Sequence, residues 1–170
     1  MAPTADPYPG DGASALDVLR LAEEYRSAAN LLRTDGQRGK PLSYAPFRLV
    51  AIHAAELYLT AFLLNQGDPA SSLRSLGHDL AARAQLAESH GLKLKKRTAA
   101  HLWELKEKRE YLVTRYDANA GPLSQVNRLS ATLEELATKV RTSLVKPSPR
   151  PLQVAAARPK QEAKIKIAAL

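Results

Sequence analysis

The chain has 170 residues, 45% hydrophobic and 25% charged, with a net charge of +8 at pH 7. That length suits one domain with a real core and is short for two. It contains no cysteine, which excludes disulfides, thiolate metal sites and cysteine nucleophiles.

The apolar residues are mostly Ala and Leu, both strong helix formers, so the composition leans towards helix before any pattern is read. Met1 to Asp11 carries three prolines, and a Gly-Asp-Gly run follows at residues 10–12. An unstructured start is predicted over residues 1–12. It lacks the basic opening and apolar run of a signal peptide. Ser14 then precedes ALDVLRLAEEYRSAANLL, with Asp17 three residues on, a pattern like a capping box with Asp in place of Glu. Leu16, Leu19, Ala22, Ala29 and Leu32 recur on one side of that first helix. TDGQRGKP ends it.

A second helix is predicted from Phe47 to Asn65, stopped by Gly67 and Pro69. A third follows Gly77 in HDLAARAQLAESH and stops at Gly91. The basic connector KLKKR leads to a fourth helix from Thr98 to Tyr116. Asp117 to Pro122 reads as a turn, and a fifth helix runs from Leu123 to Val145. There is no strand alternation and no internal repeat. The expected fold class is all-α, an up-and-down bundle of about five helices over residues 13–145.

Residues 146–170 hold six basic residues against the single acid Glu162, so they carry five of the eight net positive charges. They are expected to form a disordered basic tail, which would hold phosphates by counterion release or remain a solvated extension. No stretch reaches the roughly 18 apolar residues of a membrane span. The expectation is a cytoplasmic protein with no membrane partner.

The second helix is apolar almost all round, which marks a central, buried element. Its polar exceptions His53, Glu56 and Thr60 share one stripe. A carboxylate there must be paired, hydrogen-bonded or protonated. On the fourth helix, Leu102, Leu105, Leu112, Val113 and Tyr116 define an apolar arc with Arg109 in its middle. Glu56 and Arg109 are therefore expected to meet inside the bundle, as a bidentate pair. Such a pair serves equally as a register lock or as a site.

Three landmarks carry a family likeness: Ala54-Ala55-Glu56-Leu57-Tyr58-Leu59-Thr60-Ala61, the triplet His78-Asp79-Leu80, and the segment Arg109 to Tyr116. Over residues 14–145 the chain resembles the HEPN superfamily, small helical bundles among prokaryotic toxins, RNases and accessory nucleotide-binding proteins. Active HEPN RNases carry an Arg, four to six residues, then a His, and one toxin group continues as His-x-Tyr. The resemblance thus implies a candidate site at Arg109, Glu110, Thr114 and Tyr116, with Thr114 standing where the His belongs. Metal-independent RNA cleavage needs a group that titrates near neutral pH. A threonine hydroxyl is not one, so no catalytic residue is assigned. Arg109 alone would stabilise charge on a bound phosphate.

Arg48/His53 and Arg83/His90 also satisfy the bare Arg/His spacing. With fourteen arginines and four histidines, about one such hit arises by chance. His78 is expected near the start of the third helix and His101 on a helix flank. Lys93, Lys95, Lys96, Arg97 and Arg115 are candidate phosphate contacts, although the connector reads equally as a solvated basic turn. Few aromatics lie nearby to stack bases. There is no glycine-rich phosphate loop and no metal-spaced His or Asp cluster, so neither a metal nor a cofactor is expected. The resemblance implies a catalytically silent helical domain that binds RNA, a nucleotide or a partner protein. Its alternatives are a divergent metal-independent RNase of a toxin–antitoxin system and a structural homodimerisation module. The implied partners are a second copy of the chain, RNA or a nucleotide, and a nucleotidyltransferase-type protein.

Overall fold

The computed structural model describes residues 8–119 and 121–145, and every ordered segment among them is helical. Seven α-helices follow in order: α1 (Ala15–Asp35), α2 (Ala45–Gln66), α3 (Ala70–Ser75), α4 (Leu80–Ser89), α5 (Lys96–Glu107), α6 (Glu110–Tyr116) and α7 (Val126–Val145). A 3₁₀ turn, Pro41–Tyr44, leads into α2.

The start of α1 follows directly from its sequence. The Ser14 hydroxyl accepts from the Asp17 N–H at 3.2 Å, and the Asp17 carboxylate accepts from the Ser14 N–H at 3.1 Å. This reciprocal cap satisfies two backbone donors that a helix N-terminus leaves open. The end of α2 is equally local. Gly67 takes a left-handed φ of 93°, and its N–H reaches back to the Leu63 and Leu64 carbonyls, which costs glycine no steric strain.

α2 is the core helix. Phe47, Ile52, Tyr58, Leu59 and Leu63 on it are essentially fully buried. It packs against α1, α4, α6 and α7. The small residues Ala22 and Ala29 of α1 are buried in the same core, as are Leu129, Leu133, Leu136 and Val140 of α7. The stretch 41–65 is long and apolar enough to cross a membrane, but most of its apolar window is buried inside the bundle. Arg26 ties α1 to α7 through Glu134 at 3.0 Å.

The expected five helices are seven for two reasons. The segment after Pro69, to which the sequence pattern assigns no element, forms the short helix α3. The predicted helix Thr98–Tyr116 is broken at Lys108–Arg109 into α5 and α6. Arg109 adopts φ 48°, the only non-glycine residue with positive φ among the described residues. Left-handed backbone costs a side-chain-bearing residue roughly 1–2 kcal/mol, so something outside this segment holds it. The third predicted helix begins at Leu80, with Asp79 as its cap, and the fifth begins at Val126. Of the stretch expected to be unstructured, Tyr8 to Gly12 forms turns, and Asp11 accepts from Arg74 at 2.6 Å. Residues 1–7 and the tail 146–170 lie outside the described residues.

Candidate functional site

Glu56 projects from the central helix α2 and is buried. Its partners are not the expected one. Oε2 lies 3.0 Å from His78 Nδ1, and Oε1 accepts from Arg83 Nη2 at 3.4 Å. Arg109 is exposed at the α5–α6 junction and forms no ion pair among the described residues. The expected Glu56–Arg109 pair does not form. The break at Arg109 ends the straight helix that would have aimed this side chain inward.

Arg83 is held from three sides. Besides Glu56, it donates to Thr60 Oγ1 at 3.2 Å and to the Gly77 carbonyl at 2.7 Å. Burial lowers its pKa, and Glu56 and Asp79 oppose that shift. The polar stripe His53–Glu56–Thr60 is therefore real, but only Glu56 and Thr60 share the arginine. His53 packs edge-on against Tyr25, with ring centroids 4.6 Å apart. Burial pushes the His53 imidazole below its ordinary value; Glu56 opposes this, while Arg115 and His78 reinforce it.

His78 sits just before α4, ahead of the capping Asp79, and its side chain is 54% exposed. Its second ring nitrogen, Nε2, is 3.0 Å from the Tyr111 hydroxyl. The two rings also stack, with centroids 4.1 Å apart. The tautomer that satisfies both contacts carries its proton on Nδ1, donating to Glu56 and accepting from Tyr111. Burial raises the Tyr111 pKa, so its hydroxyl keeps the proton it donates. Four residues on along α6, the Arg115 guanidinium lies over the Tyr111 ring at 4.0 Å, within cation–π range. Among the described residues no carboxylate pairs with Arg115. Glu56, His78, Tyr111 and Arg115 thus form a continuous row from the core to the surface.

No family model matches the chain, and neither a curated protein nor a solved structure matches it.

The residues expected around Arg109 are dispersed. Glu110 is fully buried and accepts from Arg48 Nη1 at 2.6 Å, from the Ser124 N–H at 3.0 Å and from the Ser124 hydroxyl at 3.0 Å. The Thr114 hydroxyl donates to the Glu110 carbonyl at 2.8 Å. Tyr116 is 79% exposed at the end of α6. These residues do not converge on one ligand position.

The spare Arg/His pairs do not assemble either. Arg48 is locked to Glu110, while His53 faces Tyr25. Arg83 serves Glu56, while His90 pairs with Asp68 at 3.0 Å. His101 is fully buried rather than on a flank, with Nδ1 2.8 Å from Thr132 Oγ1 of α7. Among the described residues no group of three or more His, Asp or Glu side chains gathers to hold a metal.

The basic connector lies away from the row. Lys106 near the end of α5 bridges to Asp79 at the start of α4, 3.2 Å apart. The connector joins the other ends of these two helices, about 15–18 Å away at 1.5 Å per residue. It is also partly neutralised, with Lys95 Nζ 3.8 Å from the Glu135 carboxylate. Glu135 accepts from the Lys95 N–H at 2.8 Å and from Thr98 at 2.7 Å. Lys139 donates to the Lys93 carbonyl. Lys96 and Arg97 are exposed.

Sequence reasoning found Glu56 and the importance of its stripe. It missed Arg83 as the buried partner, His78 as a surface imidazole with both nitrogens engaged, and the Arg48–Glu110–Ser124 lock. One signal was present for the lock: Arg48 lies in the most apolar helix, where a lone cation demands a carboxylate.

Proposed function

We propose that this chain is a HEPN-like helical domain that binds the phosphates of RNA or of a nucleotide at the His78–Tyr111–Arg115 surface, without cleaving them. The observation that carries this reading is Arg115, a surface guanidinium with no carboxylate partner among the described residues, laid over Tyr111 beside a half-exposed imidazole. Around the imidazole, Arg83, Arg115 and Lys106 stand against the carboxylates of Glu56 and Asp79, which favours an anion. A planar Arg fork presents donors in the geometry that phosphate oxygens accept. The His78 ring, 54% exposed, adds a surface on which a base can stack.

The silence of the site follows from the same contacts. Both nitrogens of His78 have partners, so neither is free to take a proton from a 2′-hydroxyl. Thr114 already donates to a backbone carbonyl. Filter binding of labelled single-stranded RNA to the full chain across a salt series tests the reading. Arg115→Ala should weaken binding and reduce the salt slope by about one phosphate contact, with an unchanged far-UV spectrum. An affinity and a slope that both stay as in the parent would sink it.

A divergent RNase is the second reading, and one contact favours it. Glu56 fixes the tautomer and orientation of His78, as a carboxylate does for a catalytic imidazole. Swinging Tyr111 away would free Nε2. RNA cleavage in the presence of EDTA, lost in His78→Ala and kept in Arg109→Ala, would install this reading in place of the first.

A further inference from the structure

Trp103 is the only tryptophan in the chain, and it stands 41% exposed on α5. One turn on, Lys106 Nζ lies 4.7 Å from the centre of its ring, within cation–π range. The same ammonium is 3.2 Å from the Asp79 carboxylate, and its side chain is still 38% exposed. Asp79 directly follows His78, whose ring stacks on Tyr111, and Tyr111 carries Arg115. The row at His78 therefore continues through Asp79 onto α5. Along the surface, aromatic and cationic groups alternate: Trp103, Lys106, His78, Arg115. Lys106 keeps capacity for a phosphate, because an ammonium has three donors and Asp79 does not occupy them all. The acids beside Trp103 leave that capacity in place. Glu104 is held by Lys108 at 2.6 Å. Glu107, exposed one turn on from Trp103, turns a phosphate away from its own side of the ring and towards Lys106.

We infer that this surface takes an unpaired run of RNA rather than a free nucleotide, with one base stacked on Trp103, another on His78, and phosphates on Lys106 and Arg115. The inference rests on the phosphate-binding reading of the His78 row and names the ligand of that row. An unpaired strand repeats base and phosphate in alternation, which is the order of the groups on the protein. A mononucleotide offers a single base, whereas the two rings sit on different elements with the Lys106–Asp79 bridge linking them. A duplex keeps its bases stacked on one another and offers neither ring a free face. Stacking is tolerant, because every base has a π-face, so the strand is recognised as unpaired and not by its sequence. The span from Trp103 to Arg115 suits about four nucleotides, the low end of the site sizes such surfaces show.

A single tryptophan makes the test direct. The intrinsic fluorescence of the full chain is followed at low salt while an oligouridylate of about eight nucleotides is added, long enough to cover the whole track. Uridine 5′-monophosphate and an abasic ribose-phosphate strand of the same length are the comparators, and affinities are read separately by competition against a labelled strand. The oligouridylate should quench Trp103 and bind roughly tenfold or more tightly than the monophosphate. The abasic strand should compete without quenching. Trp103→Ala, a good helix former at an exposed position, should fold, weaken the oligouridylate by about fivefold or more, and leave the monophosphate unchanged. Trp103→Phe should keep most of the affinity. Oligouridylate binding that Arg115→Ala weakens, but that neither quenches Trp103 nor changes in Trp103→Ala, overturns this inference and leaves the His78 row standing. Equal affinity for monophosphate and oligouridylate overturns it in the same way. Binding indifferent to Arg115→Ala, or no binding at all, overturns the inference together with the reading it rests on.

Discussion

Glu110 is the residue whose replacement separates a structural role from a functional one most sharply. Its carboxylate has zero exposure and three donors within 3.0 Å, one of them the guanidinium of Arg48. Glu110→Ala removes all three acceptor contacts and strands a buried cation on the core helix. Breaking one side of a buried ion pair costs about 3–5 kcal/mol, a large share of the roughly 5–15 kcal/mol that holds a domain together. With a urea slope of about 1–3 kcal/mol/M, the unfolding midpoint should fall by about 2 M, read by circular dichroism at pH 7. Arg48→Met should cost a comparable amount. The double variant Arg48→Met/Glu110→Leu should recover much of the loss, because an apolar pair of similar volume has no charge to leave stranded. A midpoint shift of only a few tenths of a molar in Glu110→Ala, or a double variant as unstable as the sum of the singles, would falsify the lock.

His101 carries a pH signature. Burial lowers its imidazole from 6.5 to about 4, so the folded state holds it neutral. Its contribution is fully present above the unfolded value of about 6.5 and is lost as pH falls towards 4. The stability gap between the parent and His101→Gln should therefore shrink by about 2 kcal/mol between pH 8 and pH 5, and a gap that stays constant over that range refutes the assignment. Arg109→Gly should be neutral or stabilising by up to about 1 kcal/mol, since glycine removes the left-handed strain. A thermal midpoint clearly below the parent's would show that the Arg109 side chain does more than the described contacts indicate.

Much of the framework was legible because it depends on local rules. The Ser14–Asp17 cap needs only two residues three apart, and it forms as read. The almost unbroken apolar face of Phe47 to Leu63 marked the core helix, and burial agrees. The break at Arg109 was not legible. Leu102, Leu105, Leu112 and Val113 keep helical spacing straight through it, and no glycine or proline interrupts them. Its cause lies 62 residues before Glu110 and 14 residues after it: Arg48 and Ser124 draw Glu110 into the core, and the backbone at Arg109 bends to allow it. The partner of Glu56 was missed for a related reason. Periodicity placed a carboxylate on a buried stripe, but it could not choose between an arginine on the fourth predicted helix and one on the third. The Gly77 carbonyl and Thr60 hydroxyl, which complete the shell around Arg83, emerge only from tertiary packing.

The break also explains why the surface row exists. α6 is only seven residues long. Its first residue, Glu110, is anchored to Arg48 and Ser124 on one side. The next, Tyr111, faces His78 on another, and Arg115 follows one turn later over the same ring. An unbroken helix would have fixed these side chains at angles set by α5. The kink lets one short helix place a carboxylate in the core and an arginine at the surface. The consequence is that lock and row share a single rigid element. Loss of RNA binding in Glu110→Ala would therefore carry no weight as evidence for Glu110 in the site, since a displaced α6 moves Tyr111 and Arg115 with it. Arg115 is exposed and meets the core through its contact with the Tyr111 ring, so Arg115→Ala with unchanged urea midpoint is the variant that reads the surface alone.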